Sequence, residues 1–351
     1  MVENILEKYK SLVWPEINKY LKDPVYPTQF KIPTKYREIS DFHWQLTKDY
    51  PERKGKYLRP SLLLLTCESL GGKLKDALKT AAAMQISEEW LLIHDDFEDK
   101  SLQRRGKPTL QRIYGDELAV NAGDALHIIM WKILSDNLQI LNRQKTLQIL
   151  DEFYRALSRT ALGQSVEIKW YQDNKIDFGD KDWNFICDGK TSYYTAAAPL
   201  RLGAIIAGAT TAQLDSLTEF GLNLGRCFQL VDDVLDLTSD FGGSKKQTGN
   251  DIYEGKRTLI LGHLLRTAKA DDRKKAVKIL GKSREEKTEE EIKWIIQKMH
   301  DYGSLDYAGK IAKKYRDQAK NIFATKLGFL TKQPARRNLE EIIDFILERK
   351  Y

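Results

Sequence analysis

Three long stretches with helical hydrophobic spacing govern what this chain can fold into. "LKDALKTAAAMQISEEWLLIHDDFED" (74–99) has no proline and is filled with leucine, alanine and methionine. "TLQILDEFYRALSRTALGQSVEIKWYQ" (146–172) and the run from "EEEIKWIIQKMH" to "NIFATKL" (289–327) read the same way. Val/Ile/Thr alternation bounded by hairpin turns is scarce, so the fold class expected is all-α. "MVENILEKYKSLVW" starts a further amphipathic helix and lacks the unbroken apolar core of a signal peptide. Loops are expected at 23–33, 172–183 and 239–257, and the last is long, glycine-rich and basic enough to act as a lid. No linker separates two compositionally different halves, so residues 1–351 are expected to form one domain.

Charge and cysteine usage narrow the function classes. The chain has 57 Lys+Arg against 50 Asp+Glu, a net +7, which suits an anionic ligand. No basic tract is interleaved with aromatics, so nucleic acid is not an expected partner. Cys67, Cys187 and Cys227 stand far apart without metal-site spacing, and read as reduced, buried thiols of a cytoplasmic protein. "SLLLLTC" is too short to span a bilayer and "AAAPLRLGAIIAGA" is broken by Arg201, so no membrane anchor is expected.

One acidic motif occurs twice. "DDFED" (95–99) and "DDVLD" (232–236) both place aspartates at i, i+1 and i+4 after apolar helical sequence. On a helix, i and i+4 share a face, and i+1 lies roughly 100° around. Like charges this close repel unless solvent or a cation relieves them. Hard oxygen ligands suit Mg²⁺, which keeps waters and takes one or two carboxylates plus substrate phosphate oxygens. A solvated acidic turn explains a single copy; two copies in apolar helices point instead to metal held on a diphosphate. The alternating ligands and central glycine of an EF-hand are missing. Candidate phosphate donors accompany the motifs: Lys56 and Arg59 in "RKGKYLRP", Arg104 and Arg105 in "LQRRGKPT", Lys190 and Thr191 in "DGKTSYY", and Lys246 and Lys256 in the 239–257 loop.

Taken in order, "GKYLRP", "LIHDDFEDKSLQRRGKPT", "NAGDAL", "GQ" (163–164), "GKT" (189–191), "FQLVDDVLD" and "GNDIYEGKRT" resemble the trans-isoprenyl diphosphate synthases of the polyprenyl synthetase family. The resemblance implies an all-α barrel around a deep cavity, usually a homodimer. It implies a prenyltransferase that condenses isopentenyl diphosphate with an allylic diphosphate, using about three Mg²⁺ ions per site, with Mn²⁺ as a substitute. By this likeness Asp95, Asp96 and Asp99 bind Mg²⁺ on the allylic diphosphate, as do Asp232, Asp233 and Asp236 from a facing helix. Arg104, Lys190, Thr191, Gln229 and Lys256 contact that diphosphate, and Lys246 closes over it. Lys56, Arg59 and Arg105 hold isopentenyl diphosphate. Asp95, Asp96, Asp99, Arg104, Lys190, Asp232 and Lys256 carry the catalysis.

Two positions qualify the likeness. Where the family commonly has His or Gln, seven positions before Asp95, this chain has Glu88. It lies about 20° from Asp95 on an ideal wheel, so a salt bridge to a nearby Lys or Arg is expected. Family likeness makes an aromatic at Trp90, five positions before Asp95, a pocket floor that limits product length. The wheel instead puts Trp90 about 140° from Asp95 and brings Leu91 nearer, so a core role for Trp90 stays open. Tyr193 and Tyr194 are further candidates for narrowing the pocket. The product expected is geranylgeranyl diphosphate, then farnesyl diphosphate. A class I terpene cyclase fits less well, because "NDIYEGKRT" has Glu254 where a cyclase needs Ser or Thr. A non-catalytic partner subunit usually loses aspartates, and this chain keeps all six.

Overall fold

The computed structural model describes residues 2–23, 26, 30–238 and 248–347. Its helices run α1 Val2–Leu21, α2 Arg37–Arg53, α3 Leu58–Ser69, α4 Leu74–Glu98, α5 Leu110–Tyr114, α6 Asp116–Ser135, α7 Arg143–Gln172, α8 Asp180–Cys187, α9 Ala198–Ala207, α10 Thr211–Thr238, α11 Asn250–Glu254, α12 Leu259–Thr267, α13 Ala270–Leu280, α14 Glu289–Asp301, α15 Ser304–Lys326 and α16 Ala335–Leu347. Between α8 and α9, residues Asp188–Ala197 wind as a π-helix. A two-residue hairpin, β1 Gln103–Arg104 against β2 Lys107–Pro108, is the one sheet among the described residues. The all-α class expected from the sequence is borne out.

The chain forms two compact units. The first comprises Met1–Asp151, Arg201–Ala209 and Leu330–Leu339. Its core is set by α3, whose Leu62, Leu63, Leu64, Leu65 and Cys67 are wholly buried, packed on α4 and α1. In α1, Ile5, Tyr9, Val13, Ile17 and Leu21 recur every fourth residue and face inward. The second unit comprises Glu152–Leu200, Thr210–Phe329 and Glu340–Tyr351. There α10 packs against α15 and the π-helix, with Phe220 and Phe323 5.7 Å apart between ring centres. Each fully buried Leu or Phe of this kind contributes about 1.5–3 kcal/mol.

Three expectations need correction. The expected loop 172–183 is shorter, because α7 runs to Gln172 and α8 begins at Asp180. The 289–327 run is not one helix. The Thr288 hydroxyl accepts from the Glu291 N–H at 3.3 Å and starts α14, and Gly303, at φ +68°, divides it from α15. Nor is the whole of 239–257 a loop: Gly249 and Gly255, at φ +75° and +79°, bracket the short α11. All three cysteines are buried free thiols, and burial raises each pKa, to about 12 for Cys67 and Cys227. No described helix is long and apolar enough to cross a membrane.

Candidate functional site

In the first unit, Asp95 and Asp96 sit in the last turn of α4 and Asp99 directly follows it. Carboxylates at a helix C-terminus meet the negative end of the dipole, which favours a cation nearby. The hairpin supplies one. Arg105 and Gly106 occupy its two turn positions at φ +53° and +75°, the pair of left-handed residues that a tight hairpin of this hand requires. The turn folds the "QRRGK" segment back toward α4. Arg104 then donates to Asp96 through Nε, at 3.1 and 2.9 Å, and Nη2, at 2.5 Å, and lies 3.8 Å from Asp95. Asp96 is fully buried and also accepts from the Tyr50 hydroxyl at 2.6 Å. Burial opposes the charge on Arg104, but bonding to and attraction by Asp96 raise its pKa overall. Burial, then Asp96, raises that of Tyr50.

A second cationic group lies one face along α4. Arg59 Nη1 stands 3.1 Å from Glu88, so the expected salt bridge of Glu88 is present. Arg105 Nη2 is 4.0 Å from the same carboxylate. Its main partner is the fully buried Glu89, reached from Nη1 at 2.9 and 3.2 Å and from Nη2 at 3.2 Å. Gln85 donates to Glu89 at 2.7 Å. Burial, against the pull of Arg105 and with Glu88 adding repulsion, pushes the Glu89 pKa up to about 7. Arg59 and Arg105 are thus brought together, while Lys56 lies exposed three residues before Arg59.

Trp90 packs against His127 of α6 at a tilt of 36° with ring centres 4.7 Å apart and meets His94 edge-on at 5.6 Å. Its indole N–H is buried without a hydrogen-bond partner. Leu91, next in sequence, is half-buried.

In the second unit, Asp232, Asp233 and Asp236 fall in the last two turns of α10. Gln229 donates to Asp233 Oδ1 at 2.8 Å, whereas the buried Oδ2 has no hydrogen-bond partner. Burial, then Asp251 and Asp232, raises the Asp233 pKa well above the usual carboxylate range. Asp236 accepts from the Asp251 N–H at 3.0 Å, tying α11 to α10. Lys256 Nζ lies 2.6 Å from Glu254 and 3.5 Å from Asp251. Glu254 is held in turn by Asn250 at 2.6 Å and Arg284 at 3.3 Å. Lys190, on the π-helix, donates to Glu167 of α7, and Thr191 follows it half-buried. Gly163 makes that approach possible: a Cβ there would stand 2.7 Å from the Lys190 backbone nitrogen. Tyr193 and Tyr194 are buried, and Tyr193 donates to Glu152 at 2.6 Å beneath the Arg159 guanidinium. Lys246 lies outside the described residues.

Several participants escaped sequence reasoning. Glu89 adjoins Glu88, and nothing local to the sequence marks which of the two is buried. Asp251 lies inside the quoted "GNDIYEGKRT", and Tyr50 and Glu167 carry no local signal.

The donors suit a hard divalent cation. All are carboxylate oxygens at helix C-termini, mutually repelling in the second set, and one buried oxygen there has no partner. Among the described residues no three His, Cys, Asp or Glu side chains gather as a complete ligand group. Water and substrate oxygens would complete the shell, as Mg²⁺ commonly requires.

The profile of the polyprenyl synthetase family matches residues 43–299. The chain belongs to the polyprenyl synthetase family. Its expected enzyme class, a trans-isoprenyl diphosphate synthase acting as a prenyltransferase, is thereby borne out. It is 34% identical over 265 residues to geranylgeranyl diphosphate synthase of Sulfolobus acidocaldarius, covering 76% of this chain and 78% of that one. It is 31% identical over 313 residues to geranylfarnesyl diphosphate synthase of Natronomonas pharaonis, covering 85% and 87%. The fold matches the polyprenyl synthase of Caulobacter crescentus, solved with calcium and isoprenyl diphosphate, with a TM-score of 0.81 at 25% identity over 100% and 98% of the two chains. Divalent metal use belongs to the family.

Proposed function

We propose that this prenyltransferase extends an allylic diphosphate with isopentenyl diphosphate to a short trans product, geranylgeranyl diphosphate ahead of farnesyl diphosphate. The likeness to the Sulfolobus acidocaldarius enzyme carries the product assignment. Asp95, Asp96 and Asp99, with Asp232, Asp233 and Asp236, would hold Mg²⁺ with the allylic diphosphate, and Gln229 and Thr191 would contact it. When bound, Mg²⁺ supplies neutralisation of the charge that grows on the leaving diphosphate.

The chain's own cations do the same work. Arg104, Lys190 and Lys256 each stand against a carboxylate, Asp96, Glu167 and Glu254, that holds the charge in place before substrate arrives. Donors fixed in advance cost little reorganisation as the allylic C–O bond breaks. The isopentenyl double bond then bonds to the allylic carbon. A proton leaves the adjacent carbon, and the released diphosphate takes it. Lys56, Arg59 and Arg105 would hold isopentenyl diphosphate. Apolar walls would keep water from the cation, and Lys246 would add a further positive charge for the diphosphate.

We further propose that both units serve one synthase domain over 1–351 and that the enzyme is a cytoplasmic homodimer. Ile128, 69% exposed, and Leu118, on α6, support an apolar contact face.

The reading is tested by incubating purified protein with Mg²⁺, labelled isopentenyl diphosphate and dimethylallyl, geranyl or farnesyl diphosphate. Dephosphorylated products are then sized by chromatography. Geranylgeraniol as the main product, lengthening in Trp90→Ala, supports the assignment and the floor role. Geranylfarnesol from wild type would move the product to that of the Natronomonas pharaonis relative. An unchanged product in Trp90→Ala would assign Trp90 to packing on His127. No elongation by wild type with any primer overturns the reading.

A further inference from the structure

We propose that Glu88 acts as a built-in competitor of the incoming diphosphate, setting how tightly Arg59 and Arg105 bind isopentenyl diphosphate. This deepens the function proposed above and rests on its assignment of those two arginines.

The two arginines do not share partners equally. Arg105 has a permanent one: fully buried Glu89 takes both of its terminal nitrogens. One carboxylate therefore already balances one guanidinium. Glu88 adds a second negative charge, 3.1 Å from Arg59 and 4.0 Å from Arg105. With both glutamates ionised, the two arginines are matched one for one, and Glu88 supplies the second of the two negative charges. Unlike Glu89, the Glu88 side chain keeps 16% of its surface open, and that of Arg59 keeps 20%. Such a pair can part without stranding a buried charge, so it is exchangeable where the Arg105–Glu89 pair is not. A diphosphate reaching Arg59 must displace Glu88 or bind beside it against repulsion. Either route weakens binding of isopentenyl diphosphate and leaves the allylic diphosphate, assigned to Arg104, Lys190 and Lys256, unaffected.

The test compares wild type with Glu88→Gln, which keeps the shape and an acceptor for Arg59 but removes the charge. Steady-state KM is measured separately for isopentenyl and geranyl diphosphate, and binding of isopentenyl diphosphate alone is measured by calorimetry. The expected result is a two- to fivefold fall, roughly, in KM and Kd for isopentenyl diphosphate, with KM for geranyl diphosphate within about 1.5-fold. Glu88→Ala should shift the same constants in the same direction. A rise in KM for isopentenyl diphosphate would show that Glu88 positions Arg59 for the ligand and would overturn the proposal. So would no change, or an equal fall for both substrates. If wild type elongates no primer, the functional reading fails instead; the calorimetry still reads whether removing the charge tightens diphosphate binding.

Discussion

At the scale of single residues, two adjacent glutamates do different work because a helix turns about 100° per residue. Glu88 remains at the edge, paired with Arg59, while Glu89 is buried and bound to Arg105 and Gln85. A raised carboxyl pKa in the folded state has a definite sign in stability. The folded protein holds that proton more tightly than the unfolded chain. The stabilisation is therefore complete below the ordinary carboxylate pKa of Glu89 and is lost as pH rises toward about 7. Glu89→Gln should flatten this part of the curve of Tm against pH. It should change stability at neutral pH by no more than about 1 kcal/mol, because a Gln carbonyl still accepts from Arg105 and burial already disfavours the carboxylate charge. Denaturant melts across that pH range check both effects. A wild-type slope preserved in the variant would assign the titration to another group.

At the scale of elements, the acidic motifs and their helices were legible in the sequence because helical periodicity and i, i+4 spacing are local properties. The "RRG" turn was partly legible. Its arginines were singled out as phosphate donors, but not the pair of left-handed turn residues that brings Arg104 onto Asp96. The π-helix at Asp188–Ala197 had no signal, since its composition is compatible with an α-helix and its winding is decided by what it packs against. Gly163 shows how that packing is fixed. A Cβ would lie 2.7 Å from the Lys190 nitrogen and 3.1 Å from its Cα, both backbone atoms that cannot simply swing away. Gly163→Ala should therefore displace the π-helix, cost about 1–3 kcal/mol and lower kcat through misplacement of Lys190. Thermal melts and steady-state kinetics measure the two consequences; a variant with wild-type Tm and kcat would contradict this account of the crossing.

At the scale of the whole molecule, the all-α class followed from three proline-free stretches, but the two compact units did not. Three of their five boundaries, 151/152, 200/201 and 339/340, fall inside α7, α9 and α16, where composition does not change, while 209/210 and 329/330 fall between helices, just after Gly208 and Gly328. Glycine and proline punctuation finds loops, and no loop marks the three positions inside helices. Substrate chemistry was legible from the order of the motifs, while the partners of Lys190 and Arg105, Glu167 and Glu89, depend on contacts distant in sequence. The measurement that bears most directly on the central claim is the initial rate of prenyl transfer from geranyl diphosphate to labelled isopentenyl diphosphate with saturating Mg²⁺. Wild type is compared with Asp95→Asn and Asp233→Asn, each checked for its melting temperature without metal. Both variants should stay folded, since Asp233→Asn removes a buried carboxylate that burial and its neighbours already disfavour. Each should lose activity by on the order of 10²–10³. A folded variant that transfers prenyl groups at the wild-type rate would contradict the assignment of that carboxylate set to metal-dependent catalysis.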